Sequence, residues 1–130
     1  MFLTKHSITV VADSTGNDTQ YTPPVNGRFY GFQYTPTTSA DTVISTTATF
    51  TLNRESDTDN YLWNSTFAST DGYWKFPRKT MQDTTGSTVG NTTDYPMELI
   101  PLVNERVRFS MTISTASGLT GDIDLYFEGA

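Results

Sequence analysis

Chemistry on a polypeptide needs particular side chains at particular spacings, and few such sets occur in this chain. Acyl transfer by serine needs a general base, and the one histidine, His6, lies near the start of the sequence. Gly86-Ser87-Thr88-Val89-Gly90 misses the G-x-S-x-G nucleophile turn because its serine falls one place early. No glycine-rich loop ends in Gly-Lys-Ser/Thr to cradle phosphate, and no pair of histidines can hold zinc. With no cysteine there is no thiolate nucleophile and no disulfide framework. The expectation is a protein that is not an enzyme and that needs no cofactor.

Three other groups of residues invite a role. Glu55, Asp57, Asp59 and Asn60 supply oxygen ligands of the kind calcium takes, but Tyr61 breaks the EF-hand order. A solvated polar turn accounts for them, and no metal is assigned. Asp122 and Asp124 share one face at i, i+2, where cross-strand pairing with Arg106 and Arg108 is expected. The third group is aromatic. Tyr61, Trp63, Tyr73, Trp74 and Phe76 fall within one short, irregular stretch and form the candidate binding set. Buried rings would plug the core, whereas exposed ones would anchor a protein interface or stack on sugars. These roles are weighed in that order.

The elements that must position these residues are strands. Twenty-five Thr and eleven Ser stand beside seven Tyr and eight Phe, while Glu and Lys number only four and three. Thr and aromatics suit pleated, half-buried surfaces, and good helix formers are scarce. Period-2 alternation puts Ile8, Val10 and Ala12 on one face, and Ile44, Ala48, Phe50 and Leu52 on another. Residues 28–35 alternate with Gly31 among aromatics, which signals a bulge or a close backbone approach. The clearest signal lies near the end. Val107, Phe109, Met111 and Ile113 alternate with polar residues, as do Ile123, Leu125 and Phe127. A glycine-containing connection joins the two runs, and the pair reads as a hairpin. Residues 13–20 and 53–60 read as polar turns, and 78–94 as one long irregular loop. About seven strands predict a single antiparallel β-sandwich over 1–130, jelly-roll-like in style.

Charge narrows the partners. Eight basic against fourteen acidic residues give a net charge of −6, a poor match for nucleic acid or an anionic membrane surface. No apolar run approaches the length of a membrane span or of a signal-peptide core. The chain is expected to be made as a soluble protein in a cytoplasm. Asn17, Asn64 and Asn91 head Asn-x-Ser/Thr triplets, which carry little weight in so Thr-rich a chain.

The order of segments resembles a family of small all-β proteins from tailed-phage structural gene clusters. The residues that carry the likeness begin with His6-Ser7-Ile8-Thr9-Val10, a turn with Gly16, Tyr21-Thr22-Pro23, and Val25-Asn26-Gly27-Arg28. They continue with Trp74-Lys75-Phe76-Pro77-Arg78, the run from Ile100 to Arg108, and Gly121-Asp122-Ile123-Asp124-Leu125-Tyr126. The resemblance implies a bacteriophage virion protein similar to head decoration (cement) proteins, which sit outside the capsid shell, often as trimers. Its partners would be the major capsid protein or other virion proteins, with no nucleic acid and no membrane. Residues 1–5 and 78–94 would serve as docking arms. A neck, tail or fibre accessory protein is the near alternative, and a carbohydrate-binding β-sandwich the distant one.

Overall fold

A computed structural model describes residues 2–38, 44, 47–68, 72–80, 85, 97–113 and 119–129. Eleven strands run through them: β1 (Leu3–Val11), β2 (Asn17–Tyr21), β3 (Val25–Pro36), β4 (Thr47–Arg54), β5 (Asp57–Ala68), β6 (Tyr73–Lys75), β7 (Lys79–Thr80), β8 (Met97–Glu98), β9 (Ile100–Glu105), β10 (Val107–Ile113) and β11 (Thr120–Glu128). Among the described residues no helix is long and apolar enough to cross a membrane.

Two antiparallel sheets carry the structure. One has the order β1-β11-β3-β6, with β9 also paired to β3, and the other runs β2-β10-β4-β5. β7 and β8 form a separate two-stranded ribbon. Setting aside the β7–β9 insertion, the chain changes sheet at every connection except β4–β5, forming two interlocked Greek keys with its last strand inserted between the first and third. That order is a jelly roll. The all-β sandwich expected from composition is therefore the observed fold.

The sheets bury the faces that alternation selects. β10 points Val107, Phe109, Met111 and Ile113 inward, and β11 points Ile123, Leu125 and Phe127. Ile8, Val10 and Ala12 come from β1 and the residue beyond it, while Ala48, Phe50 and Leu52 come from β4, all buried. Ile44, the one described residue of its neighbourhood, is fully buried too. Phe50 is the pivot, with its ring 5.5 Å from Phe109 in its own sheet and 5.6 Å from Tyr34 in the other. Each such side chain removed from water contributes about 1.5–3 kcal/mol, which offsets the entropy of ordering the strands.

Several expectations need correction. β10 and β11 are not a hairpin: β10 pairs with β2 and β4, and β11 with β1 and β3. Alternation specifies which face a residue occupies, not which strand lies beside it. The Asp–Arg pairing expected across that hairpin fails for the same reason. Asp124 accepts the Ser7 hydroxyl at 2.6 Å and Asp122 that of Thr9 at 3.3 Å, both on β1, while Arg106 pairs with Glu55. Residues 13–20 are only partly a turn, because β2 starts at Asn17. Residues 53–60 shrink to a tight connection at Glu55-Ser56, with β4 and β5 on either side. Leu3 to Lys5, expected in a docking arm, belong to β1 and pair with Glu128, Phe127 and Tyr126. Of the expected long loop, Arg78 and β7 are defined; apart from Thr85, the stretch 81–94 lies outside the described residues.

Candidate functional site: an aromatic groove on the outer sheet face

β3 creates the site by a fault in its ladder. It meets β11 in register from Pro36 to Gly31 and again at Phe29, so Tyr30 is an extra residue opposite no partner. Such a bulge switches the phase of the strand. Phe29 points into the core on one side of it, and Phe32 and Tyr34 on the other, all buried. Gly31 lies at the switch, where a Cβ would stand 2.7 Å from the Lys75 carbonyl oxygen and 2.7 Å from Phe76 Cδ1. Only glycine leaves room there for the segment after β6 to lie against β3. The backbone approach anticipated at Gly31 is thus observed, and its purpose is to seat Phe76.

The rings gather on the outer face. Tyr126 occupies the polar parity of β11, opposite Lys5 of β1 and Gly31 of β3. Trp74 lies beside Gln33 of β3. Its ring is 5.3 Å from that of Tyr126 and 5.9 Å from that of Phe76, the latter parallel to within 5°. The Tyr30 ring closes the group, edge-on to Phe76 at 5.7 Å. Together with Leu3 these side chains line an open groove of about 450 Å³. Trp74 and Phe76 remain nearly half exposed, at 46% and 48%.

The five aromatics singled out in the sequence therefore separate. Trp74 and Phe76 belong to the groove. Trp63 and Tyr73 pack on the core, their rings 5.7 Å and 6.2 Å from Phe32, and the Lys75 ammonium lies 5.6 Å from each. Burial, with Tyr34 alongside, holds the Tyr73 phenol well above its usual pKa. Tyr61 is exposed on β5, in the other sheet, apart from both groups. Sequence reasoning missed Tyr30, Tyr126 and Leu3. Tyr126 carried a usable signal, an aromatic placed among Asp122, Asp124 and Glu128 on the face that should be solvated. Tyr30 carried none, because the bulge that turns it outward depends on tertiary pairing.

Polar groups border the rings. The Gln33 side chain is half-buried between Asp124 of β11 and Trp74 of β6 on the same face. Arg78 donates from Nη1 to the carbonyl oxygens of Tyr30 at 2.7 Å and Pro77 at 2.9 Å, with its guanidinium 5.5 Å from the Tyr30 ring. Arg28 pairs with Glu128 at the Leu3 end. Among the described residues no group of three or more His, Cys, Asp or Glu could hold a metal ion.

A second cleft is closed by its own bonds. Arg106 grips Glu55 through two nitrogens and lies 4.4 Å from the Tyr21 ring, while Ser56 donates its N–H and hydroxyl to Glu105 at 2.9 and 2.8 Å. The Arg106 guanidinium holds the Glu55 carboxyl below its ordinary range. These bonds tie the β4–β5 turn to the β9–β10 junction. Their partners are each other, which makes the cleft a clasp.

No protein-family model matches the chain, and neither curated proteins nor solved structures yield a match.

Proposed function

We propose that this chain is a non-enzymatic virion structural protein: a capsid decoration protein of a tailed phage, seated outside the head shell through the aromatic groove. The observation that carries the reading is the placement of Tyr30, Trp74, Phe76, Tyr126 and Leu3 on an outer sheet face. A soluble protein that leaves such a contiguous apolar patch in water gives up the gain from covering it, and patches of this kind mark interaction surfaces. Trp and Tyr are also the side chains that dominate interface energetics.

Two further considerations agree. Jelly rolls serve in viral capsid domains and in lectins, a fold-level analogy that raises the prior without deciding the function. A coat protein needs no reactive centre, only preference for the assembled lattice over free subunits. Such binding stabilises the lattice by about 3 kcal/mol per site when the free protein is at a hundred times its dissociation constant. A net charge of −6 also keeps the chain off the packaged genome.

Mass spectrometry of purified particles tests this reading. The chain is expected in the virion at lattice stoichiometry. Far fewer copies would reassign it to the neck, tail or fibre, and absence from particles would reject the virion role altogether. A carbohydrate-binding module is the second reading, favoured by the Gln33 amide and the Asp124 carboxylate beside the rings. Such groups could bond hydroxyls of a sugar stacked on Trp74, and a glycan array on the purified chain would reveal it.

A further inference from the structure

The groove holds hydrogen-bond donors as well as rings. Tyr30, Trp74 and Tyr126 meet one another and Phe76 ring against ring, and among the described residues neither phenol nor the indole N–H forms a hydrogen bond. Water satisfies these groups while the groove is open. An occupant that expels the water must supply acceptors, because a covered donor without a partner costs about 1–3 kcal/mol. Charge around the same outer face is balanced. Lys5, Arg28 and Arg78 stand with Asp122, Asp124 and Glu128. Arg28 pairs with Glu128, while the Asp122 and Asp124 carboxylates accept only the neutral hydroxyls of Thr9 and Ser7. A strongly charged occupant of either sign therefore finds no net charge to match.

The direction of the groove adds a constraint. It runs from Leu3 on β1 to Trp74 on β6, across β11 and β3. Three inter-strand steps span about 14 Å. The backbone groups of these strands pair within the sheet, and an occupant lying there crosses them at a steep angle. Ladder hydrogen bonds are closed to it, so an occupant with N–H groups of its own leaves them facing rings.

We propose that the groove takes a short, uncharged, proline-rich segment of a partner protein in the polyproline II conformation. The inference rests on the docking reading above and names the chemistry of the partner. Donors, charge and direction select this occupant together. A β-strand would need the ladder it cannot reach, and an α-helix keeps its carbonyls bonded internally. Polyproline II has no internal hydrogen bonds, so its carbonyls are open to the Trp74 N–H and the Tyr30 and Tyr126 hydroxyls. Its prolines carry no N–H to strand among the rings. Aromatic-lined grooves take such segments because the conformation is preformed and little entropy is lost. At about 3.1 Å per residue, four or five residues span the groove. A neutral glycan matches the charge, but it brings hydroxyl donors to a lining of four rings and Leu3, and it is the rival outcome of the test.

The experiment is fluorescence anisotropy of a labelled Ala-Pro-Pro-Leu-Pro-Pro-Ala peptide with the full chain, beside a version carrying Gly for every Pro and a set of neutral oligosaccharides. A parallel arm measures uptake of the chain by phage particles stripped of it, with and without saturating proline peptide. The proline peptide is expected to bind with an affinity that salt hardly changes, because the rim is balanced, and the glycine version about tenfold more weakly. Trp74→Ala is expected to weaken binding about tenfold. Tyr126→Phe, which keeps the ring and removes only the hydroxyl, should weaken it about threefold. Urea midpoints of both variants should stay close to wild type, and Tyr126→Phe keeps the test valid if Trp74→Ala fails to fold. Equal binding of the two peptides, indifference to both substitutions, or binding of oligosaccharides alone overturns the inference. If the proline peptide binds but particles take up no chain, the virion reading falls and the groove chemistry stands. If particles take up the chain and saturating peptide does not block it, the inference falls and the virion reading stands.

Discussion

At the scale of single residues, the molecule depends on a few positions where only one side chain fits. Gly31 is the clearest. Gly31→Ala would press a methyl group onto the Lys75 carbonyl and the Phe76 ring, each 2.7 Å away. A destabilisation of about 1–3 kcal/mol is expected from such crowding, together with a changed tryptophan emission as Trp74 moves with its strand. Urea titration followed by fluorescence reads both, and a wild-type midpoint with unchanged emission would show that the β6 segment does not lie where described. Asp13 is the second such position. Its carboxylate accepts N–H groups of Thr15 and Asn17 and the Thr15 hydroxyl, bonds that lower its pKa, with Asn17 contributing most. Glu55 is lowered by Arg106. For carboxyls depressed by folding, the stabilising contribution is complete above the unfolded-state pKa and disappears as pH falls through the folded one. Stability should therefore start to decline below the ordinary values of 4.5 for Glu55 and 3.8 for Asp13. Glu55→Gln and Asp13→Asn should flatten that acid limb in pH-dependent thermal melts, and a limb of unchanged steepness in both would remove these groups from the account.

At the scale of elements, the faces of strands were legible and their neighbours were not. The alternation in β10 and β11 identified Phe109 and Leu125 as core residues, and both are essentially inaccessible, at 1% and 0%. Phe109→Ala should cost about 3–5 kcal/mol and Leu125→Ala about 2–5, as for other large-to-small changes in packed cores. Because the two residues lie in different sheets, losses of this size in both would confirm that each sheet contributes a full apolar face. Pairing was hidden because a strand's period says nothing about which strand returns beside it. β2 was hidden because Asn17, Asp18 and Gln20 look like turn residues. They form a strand because β10 supplies the ladder, and because Gln20 and Asp18 bond Thr9 O and Val11 N of β1. The aromatic groove was half legible: Trp74 and Phe76 stand in a visible cluster, whereas Tyr30 joins them only through the bulge in β3.

At the scale of the whole molecule, a jelly roll leaves the outer faces of its two sheets free for different tasks. Here one outer face gathers Leu3, Tyr30, Trp74, Phe76 and Tyr126 into an open groove. The proposed role makes that face the seat on a phage shell. Its direct test is rebinding of purified chain to particles stripped of it, comparing wild type with Trp74→Ala after both are shown to melt alike. The account predicts saturable uptake of wild type at lattice stoichiometry and about tenfold weaker uptake of the variant, a loss of about 1.4 kcal/mol. Equal uptake of the two proteins, or none of wild type, would contradict it.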